Sequence, residues 1–394
     1  MACTQFASTN TTDLSYILEV DCGITPDTPA LNILPTTGGG PTGNITTTIS
    51  EVIRADRMTD DLVVTDSEIG GTTNYELSYA PYKPIIGSLL MDSTPDTVAL
   101  TDQTLTIVAA TGAVTGTGTT FLTDLKVGQF VRINSVTDTG SNGVFKVVSI
   151  ADDTNMVVTP STTNVDATAI DFTIDGTNYR NGTDAADNYT FAKRILNGAT
   201  TSYFYYRGCQ ISSMSFNFET GSILNGAFDV MGLTEEATDT EIPGSSYINP
   251  PSYSLMNSVS SISSIDIGGV SASTEFSNLN LTVNNNITPA KAIGTLGAAA
   301  LAPFTLEISA DSTVYFEDTV LYNQYLQANA FYLDITLQDG DNNIIVISLP
   351  KAKFSELDVP VDGKDNFLFQ NGSITALRDD VNNYMVQITM IDAL

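Results

Sequence analysis

The chain has 394 residues, 42% of them hydrophobic and only 15% charged, with 45 acidic against 15 basic side chains and a formal net charge of −30. That length exceeds one ordinary domain and predicts two, or one with a large insertion. The charge argues against a nucleic-acid binder, which needs a basic patch to neutralise phosphates; Lys193-Arg194 is the sole adjacent basic pair.

Thr, Ser, Asn and Gly fill the place of charged residues, which favours strands and turns over helices. Histidine and tryptophan are absent, and with histidine goes the commonest general base and metal ligand. Cys3, Cys22 and Cys209 match neither a metal-ligand spacing nor a disulfide framework. Cys209 reads as a small buried hydrophobe in a strand. The start, MACTQFASTN, lacks a basic segment followed by an apolar run. The mostly apolar run 292–304 is broken by Gly294, Gly297 and Pro303 and is too short to span a membrane. These features predict a protein that stays in the cytosol until it assembles. The acidic charge serves solubility, and it also repels DNA.

In chain order, residues 1–50 look poorly packed. One strand is expected over 13–20 (DLSYILEV). The Pro/Gly/Thr-rich run TPDTPALNILPTTGGGPTGN follows, and it reads as a disordered terminus or as an arm that orders against a neighbour. A strand begins at 45–53. Residues 54–71 (RADRMTDDLVVTDSEIGG) read as a long acidic loop or hairpin, 74–79 as a strand, and 84–91 as a short helix with Pro84 in its first turn.

From 97 to 175 the chain is dense in Thr, Val, Asp and Gly, with short strands expected at 130–133, 144–150 and 156–159. Asn142-Gly143 marks a hairpin and Asp152-Asp153 with Asn155 a second turn. Close, even spacing of short strands predicts a small inserted β domain at 97–175, flanked by polar, turn-like exits. The remaining division is an arm over 1–50 and a β core over 51–96 and 176–394.

The stretch 203–233 (YFYYRGCQISSMSFNFETGSILNGAFDVMGL) organises the core. It reads as two strands joined at Thr220-Gly221. Met214, Phe216 and Phe218 alternate with Ser213, Ser215, Asn217 and Glu219, and Phe228 and Val230 alternate with Ala227 and Asp229. Side chains alternate faces with period two, so the pair covers a core on one side and meets a wet space on the other. Further strands are expected where Leu279, Leu281 and Val283 alternate with polar residues, at 304–311, at 331–337, at 344–349 and at 384–390. The best helix candidate is 317–328.

Chemistry is sparse. No nucleophile elbow, zinc-protease motif or phosphate-binding loop occurs, and GTGTT at 116–120 lacks a lysine. Glu219 and Asp229 are a carboxylate pair that would have to face each other across the hairpin to serve a glycosidase. A solvated strand face is the stronger reading. The run 339–343 (DGDNN) begins like a calcium loop but lacks the closing Glu, so it reads as a turn. Tyr203, Phe204, Tyr205 and Tyr206 read as a strand packing against the core or a neighbour rather than as a base-stacking platform.

Taken in series, YILEVDCGITPDTP, RGCQISSMSFNFETGSILNGAFDVMG, LNLTVNNNITPAKAIGTLG, DSTVYFED and ITLQDGDNNIIVISLPKAKF resemble the major tail tube protein of long-tailed bacteriophages, over 10–92 and 200–390. The resemblance implies a mainly β fold. It is a tail-tube-type β-sandwich or open barrel with one principal helix, whose subunits close into hexameric rings that stack into a conduit for the genome. The 97–175 segment departs from the minimal pattern and resembles the accessory domains such proteins carry. No catalysis, cofactor or metal is implied.

The implied partners are the chain itself, a tail terminator, a tape measure and baseplate or tip proteins, with DNA passing unbound and no membrane. The implied location is the virion tail, after assembly in the host cytoplasm. On this reading Ser213, Ser215, Asn217, Glu219 and Asp229 are candidates to line the lumen. The Pro/Gly-rich arm and the loop with Arg54, Arg57, Asp60, Asp61, Asp66 and Glu68 are the candidate clasps between rings. A second reading, a β-rich adhesin with the insert as its binding module, needs an export route that the N-terminus does not offer.

Overall fold

The computed structural model describes residues 6–137, 139–159, 167–198, 200–251, 253–268, 275–361 and 363–394. Among them strands dominate, and no α-helix exceeds seven residues. One antiparallel sheet forms the body of a β-barrel core. In spatial order its strands are Thr42–Ile49, Leu62–Glu76, Asn225–Gly232, the second half of Thr200–Glu219, Phe276–Asn284, Glu307–Tyr315, Phe369–Ala376, Ile344–Asp358, Phe331–Gln338 and Ile262–Ile267.

One strand serves two layers. Thr200–Glu219 gives its first half to Tyr189–Asn197 and Thr234–Thr238, and its second half to Asn225–Gly232 and Phe276–Asn284. Gly208 sits at the changeover with φ +64, where a Cβ would lie 2.7 Å from the Leu233 side chain. Only glycine adopts that backbone without strain and fits that space. The Gly208 N–H donates to the carboxylate of Glu19, which also accepts from Thr190 Oγ1 (2.7 Å) and Gly23 N (2.7 Å). Glu19 is buried, and these donors replace its lost water.

The N-terminal stretch differs from the expected arm. Thr12–Leu18 pairs with both Tyr189–Asn197 and Ala30–Leu34. Leu14, Tyr16, Leu31 and Leu34 are buried. Few apolar residues are needed when each lands on the inward face of a strand. The helix Lys83–Leu89 packs Ile85, Ile86 and Leu89 into the same core. The helix expected over 317–328 is the shorter Val320–Leu326, with Leu321 as its buried residue. Asp318 accepts from Val320 N at 2.8 Å at its start, and Ala328, at φ +50, lies just past its end. It is as long as Lys83–Leu89 and less buried.

Residues in 97–175 gather a second hydrophobic cluster that includes Leu105, Ile107, Val131, Ile133, Phe172 and Ile174. Its strands include Asp96–Val108, Phe130–Asn134, Gly143–Asp152, Asn155–Thr159 and Ala167–Arg180. Asn142 does not close a two-residue turn. Its side chain bonds Ser135 N (2.7 Å) and Ser135 O (2.9 Å), stitching a longer connection. Ala167–Arg180 runs on from this cluster to pair with Gln387–Ile391 of the main sheet. At that joint the Gln387 amide nitrogen donates to Gly128 O and Asn178 Oδ1, and Thr389 Oγ1 donates to the same Asn178 oxygen, all buried.

A small cluster of Phe130, Ile344, Val346 and Ile391 packs beside this joint. Lys146 also reaches Asp334 of the main sheet at 3.0 Å and lies over the Phe130 and Tyr332 rings. Burial holds the Asp334 carboxyl above the ordinary carboxylate range despite Lys146.

Two outcomes test this packing. Phe228→Ala, at a fully buried site, costs about 3–5 kcal/mol of stability in chemical denaturation. Lys146→Met leaves Asp334 buried without its cation and costs about 3 kcal/mol at neutral pH. The folded-state pKa of Asp334 lies above its unfolded value, so its contribution is greatest below the unfolded pKa and is lost as pH rises through the folded one. The Lys146→Met deficit therefore shrinks on acidification, and a pH-independent deficit would contradict the assignment.

Candidate functional site

The sheet has a dry face and a wet face. Inward, Met214, Phe216, Phe218, Phe228, Leu279, Leu281, Val283, Ile308 and Ile374 are all buried. Outward, the registers lay polar residues in rows across the strands. Thr72, Asp229, Ser213, Asn284 and Glu307 form one row, and Asn74, Ala227, Ser215, Thr282, Ser309 and Thr375 the next. Glu76, Asn225, Asn217, Asn280, Asp311 and Ser373 follow, then Glu219, Asn278, Thr313 and Asn371. These rows hold five acidic side chains and no basic one: Glu76, Glu219, Asp229, Glu307 and Asp311.

Hydroxyls hold two of these carboxylates against the sheet. Ser213 Oγ and Thr72 Oγ1 donate to Asp229, the former at 2.6 Å, and Ser373 Oγ donates to Asp311 at 2.6 Å. The five residues singled out as lumen candidates thus share one face, with Glu219 exposed at its far end. The strands Phe276–Asn284, Glu307–Tyr315 and Phe369–Ala376 double its width. Their polar alternation is visible in sequence, but their adjacency is not. The strand expected over 304–311 is shifted to Glu307–Tyr315, and Phe304 is exposed.

The carboxylate pair needed by a hydrolase does not form. Asp229 stands opposite Ser213, and Glu219 lies on the order of 20 Å further along that strand. Retaining or inverting chemistry needs the two within about 10 Å. The 339–343 run is a turn. Asp339 accepts from Asp341 N (2.9 Å), Asn343 N (2.8 Å) and Asn343 Nδ2 (2.8 Å), which occupies both of its oxygens. Tyr203 and Tyr205 stack with centroids 5.9 Å apart in a small core with Leu31, and Tyr206 is buried in the main one. Cys209 is buried and its thiol is pushed up by burial, whereas Cys22 is exposed. Cys3 lies outside the described residues.

The second feature is a projecting hairpin. Leu62–Glu76 pairs with Asn225–Gly232 only from Ile69 onward, and its first residues have Thr42–Ile49 as their strand partner. This arm extends on the order of 20 Å from the sheet. Ile45, Ile49, Val52, Met58, Leu62, Val63 and Val64 are all exposed, and Ile53 is 99% exposed. A two-stranded hairpin with its apolar residues in water is marginal alone, and an apolar patch of this kind marks a contact surface.

The six clasp candidates fall into two sets. At the tip, Arg54 pairs with Asp56 (2.8 Å) and Asp60, and Asp61 accepts from Leu62 N (2.7 Å). Arg57, at φ 61, is exposed and in no ion pair among the described residues. At the base, Asp66 and Glu68 (2.9 Å) pair with Lys291, on the ribbon of Thr288–Lys291 and Ala298–Ala302. The Lys291 ammonium pulls the Asp66 carboxyl below its ordinary range.

No curated protein matches this chain. A family model described as phage tail tube protein matches residues 9–375, which takes in the arm, the polar face and the second cluster. The chain belongs to the phage tail tube protein family.

Proposed function

We propose that this structural subunit of a phage tail assembles head-to-tail into rings, six to a ring, and that the rings stack into a tube through which the genome is ejected. The observation that carries this reading is the wide polar face. From Leu62–Glu76 across to Phe369–Ala376 its rows are uncharged or acidic, with Lys353 of the next strand beside Thr375, and it lies on the far side of a mainly apolar core. Set around a channel, Ser, Thr and Asn side chains keep a hydrated wall, and the acids repel DNA phosphates so that the duplex slides. Ser213, Ser215, Asn217, Glu219 and Asp229 belong to that lining.

The arm is the clasp between rings, with Arg54, Arg57, Asp60 and Asp61 at its tip and Asp66 and Glu68 bracing its base. An exposed apolar hairpin gains stability when a neighbouring copy covers it. Residues 97–175 form an accessory unit. It docks on Ile344–Asp358 and Gln387–Ile391, around the barrel from the polar face, which suits a position on the outside of the tube. The partners follow from this role: other copies, and the tail proteins that start, measure and end the tube. The role is structural and involves no catalysis.

Purified full-length protein, alone or with tail-tip components, is expected to form rings or tubes in negative-stain microscopy. A strict monomer at every concentration would count heavily against the reading. Glu307→Lys with Asp311→Lys should change stability by no more than about 0.5 kcal/mol, as exposed sites do, yet slow DNA delivery by assembled virions. Unaltered delivery would remove these strands from the channel wall.

A further inference from the structure

The pair between Lys146 and Asp334 differs from the other lysine ion pairs among the described residues. Its side chains are 18% and 11% exposed at a separation of 3.0 Å, whereas each of the others has a partner at least 41% exposed. The Lys146 Nζ lies 5.2 Å and 5.0 Å from the centroids of the Phe130 and Tyr332 rings. The pair also bridges two bodies of the fold. Lys146 belongs to Gly143–Asp152 of the second cluster, and Asp334 to Phe331–Gln338 of the barrel.

Asp334 has a purposeful surround. In the sheet register Ser348 stands opposite it on one side and Asp266 on the other. Residues directly opposite share a face with Cβ atoms about 5 Å apart, where two like charges destabilise a sheet. Ser348 Oγ donates to Asp334 Oδ1, and Lys146 approaches Oδ2. Asp266 is exposed and accepts from the Tyr332 hydroxyl at 3.0 Å. A cleft of about 940 Å³ opens on Lys146, Asp266, Tyr332 and Asp334. Burial holds the Asp334 carboxyl above the ordinary carboxylate range despite the lysine, which favours its neutral form. The site thus gathers an amine, a buried carboxyl, a donor to one carboxyl oxygen, a second carboxylate and an exit to solvent.

We propose that Lys146 and Asp334 condense into an amide that joins the accessory unit covalently to the barrel. Proton transfer within the pair gives the amine and the carboxylic acid. The Nζ lone pair then bonds to Cγ of Asp334, and Ser348 Oγ steadies the charge that develops on Oδ1. The bond from Cγ to Oδ2 breaks, and Oδ2 leaves as water with its own proton and one from the amine. Asp266 takes that amine proton and returns it to the departing oxygen. One positive and one negative charge vanish together, and no oxidant or further reactant is consumed. The charged pair is the resting form, so the link forms slowly in the folded chain. The pH-dependent deficit given above for Lys146→Met belongs to chains not yet linked, in which Asp334 still titrates. Tube assembly is not required for the reaction.

Intact-mass measurement of full-length protein after prolonged incubation under native conditions tests this. A fraction lighter by one water should grow with time, and its digest should contain a branched peptide joining Lys146 to Asp334. Protein held in denaturant should not gain it. Lys146→Arg keeps a cation without a nucleophilic amine and should stay at full mass. Asp266→Asn should slow the gain about 100-fold. Native protein that keeps its full mass overturns the proposal. Water lost while the two peptides remain separate, as in a succinimide at Asp339-Gly340, also overturns it. Linking of Asp266→Asn at the parent rate overturns the part given to Asp266.

Discussion

Everything in this molecule depends on the separation of two solvents by one layer of backbone. In an antiparallel sheet each residue commits its side chain to one face, and its neighbours take the other. Thr200–Glu219 and the strands beside it obey that rule without a break over the polar face. A slip of one residue would send Met214, Phe216 and Phe218 into water and Ser213, Ser215 and Asn217 into the core, so the register is strongly held. The channel wall proposed here is thus the reverse side of the folding core. Selection on either face constrains the other.

Much of the fold was legible for that reason, and the failures have physical causes. Period-two alternation identified the hairpin and its polar residues, and the turn at Thr220-Gly221 carries φ +76 at its glycine. What alternation cannot supply is long-range partnership. Nothing local in Asn278, Asn280 and Thr282 says that they lie beside Glu219, Asn217 and Ser215. In the N-terminal stretch the strand expected over 13–20 is Thr12–Leu18, but a Pro/Gly-rich run has too little apolar surface to show by itself where it packs. Leu14, Tyr16, Leu31 and Leu34 are instead inserted into a core that other strands build.

The projecting arm was legible in charge and hidden in shape. Acidic and turn-forming residues over 54–71 suggested a loop or hairpin, without its extent. The strand content comes from Leu62, Val63 and Val64 pairing with Thr47, Thr48 and Ile49, and such pairing resembles any half-buried hairpin until exposure is known. Local composition reports what a segment is made of. Its surroundings decide whether its valines are core or contact surface.

The joint between the two hydrophobic clusters has a mechanical consequence. Ala167–Arg180 enters the main sheet as a continuous strand, bonded on one side to Asp96–Val108 and, at its end, to Gln387–Ile391. Backbone hydrogen bonds stand perpendicular to antiparallel strands. A pull along this strand therefore loads several of them together in shear and does not peel them one by one. Drag on the accessory unit would be delivered to the barrel as a distributed tension along its C-terminal strand, with the Gln387–Asn178–Thr389 bonds as a buried rivet at the seam.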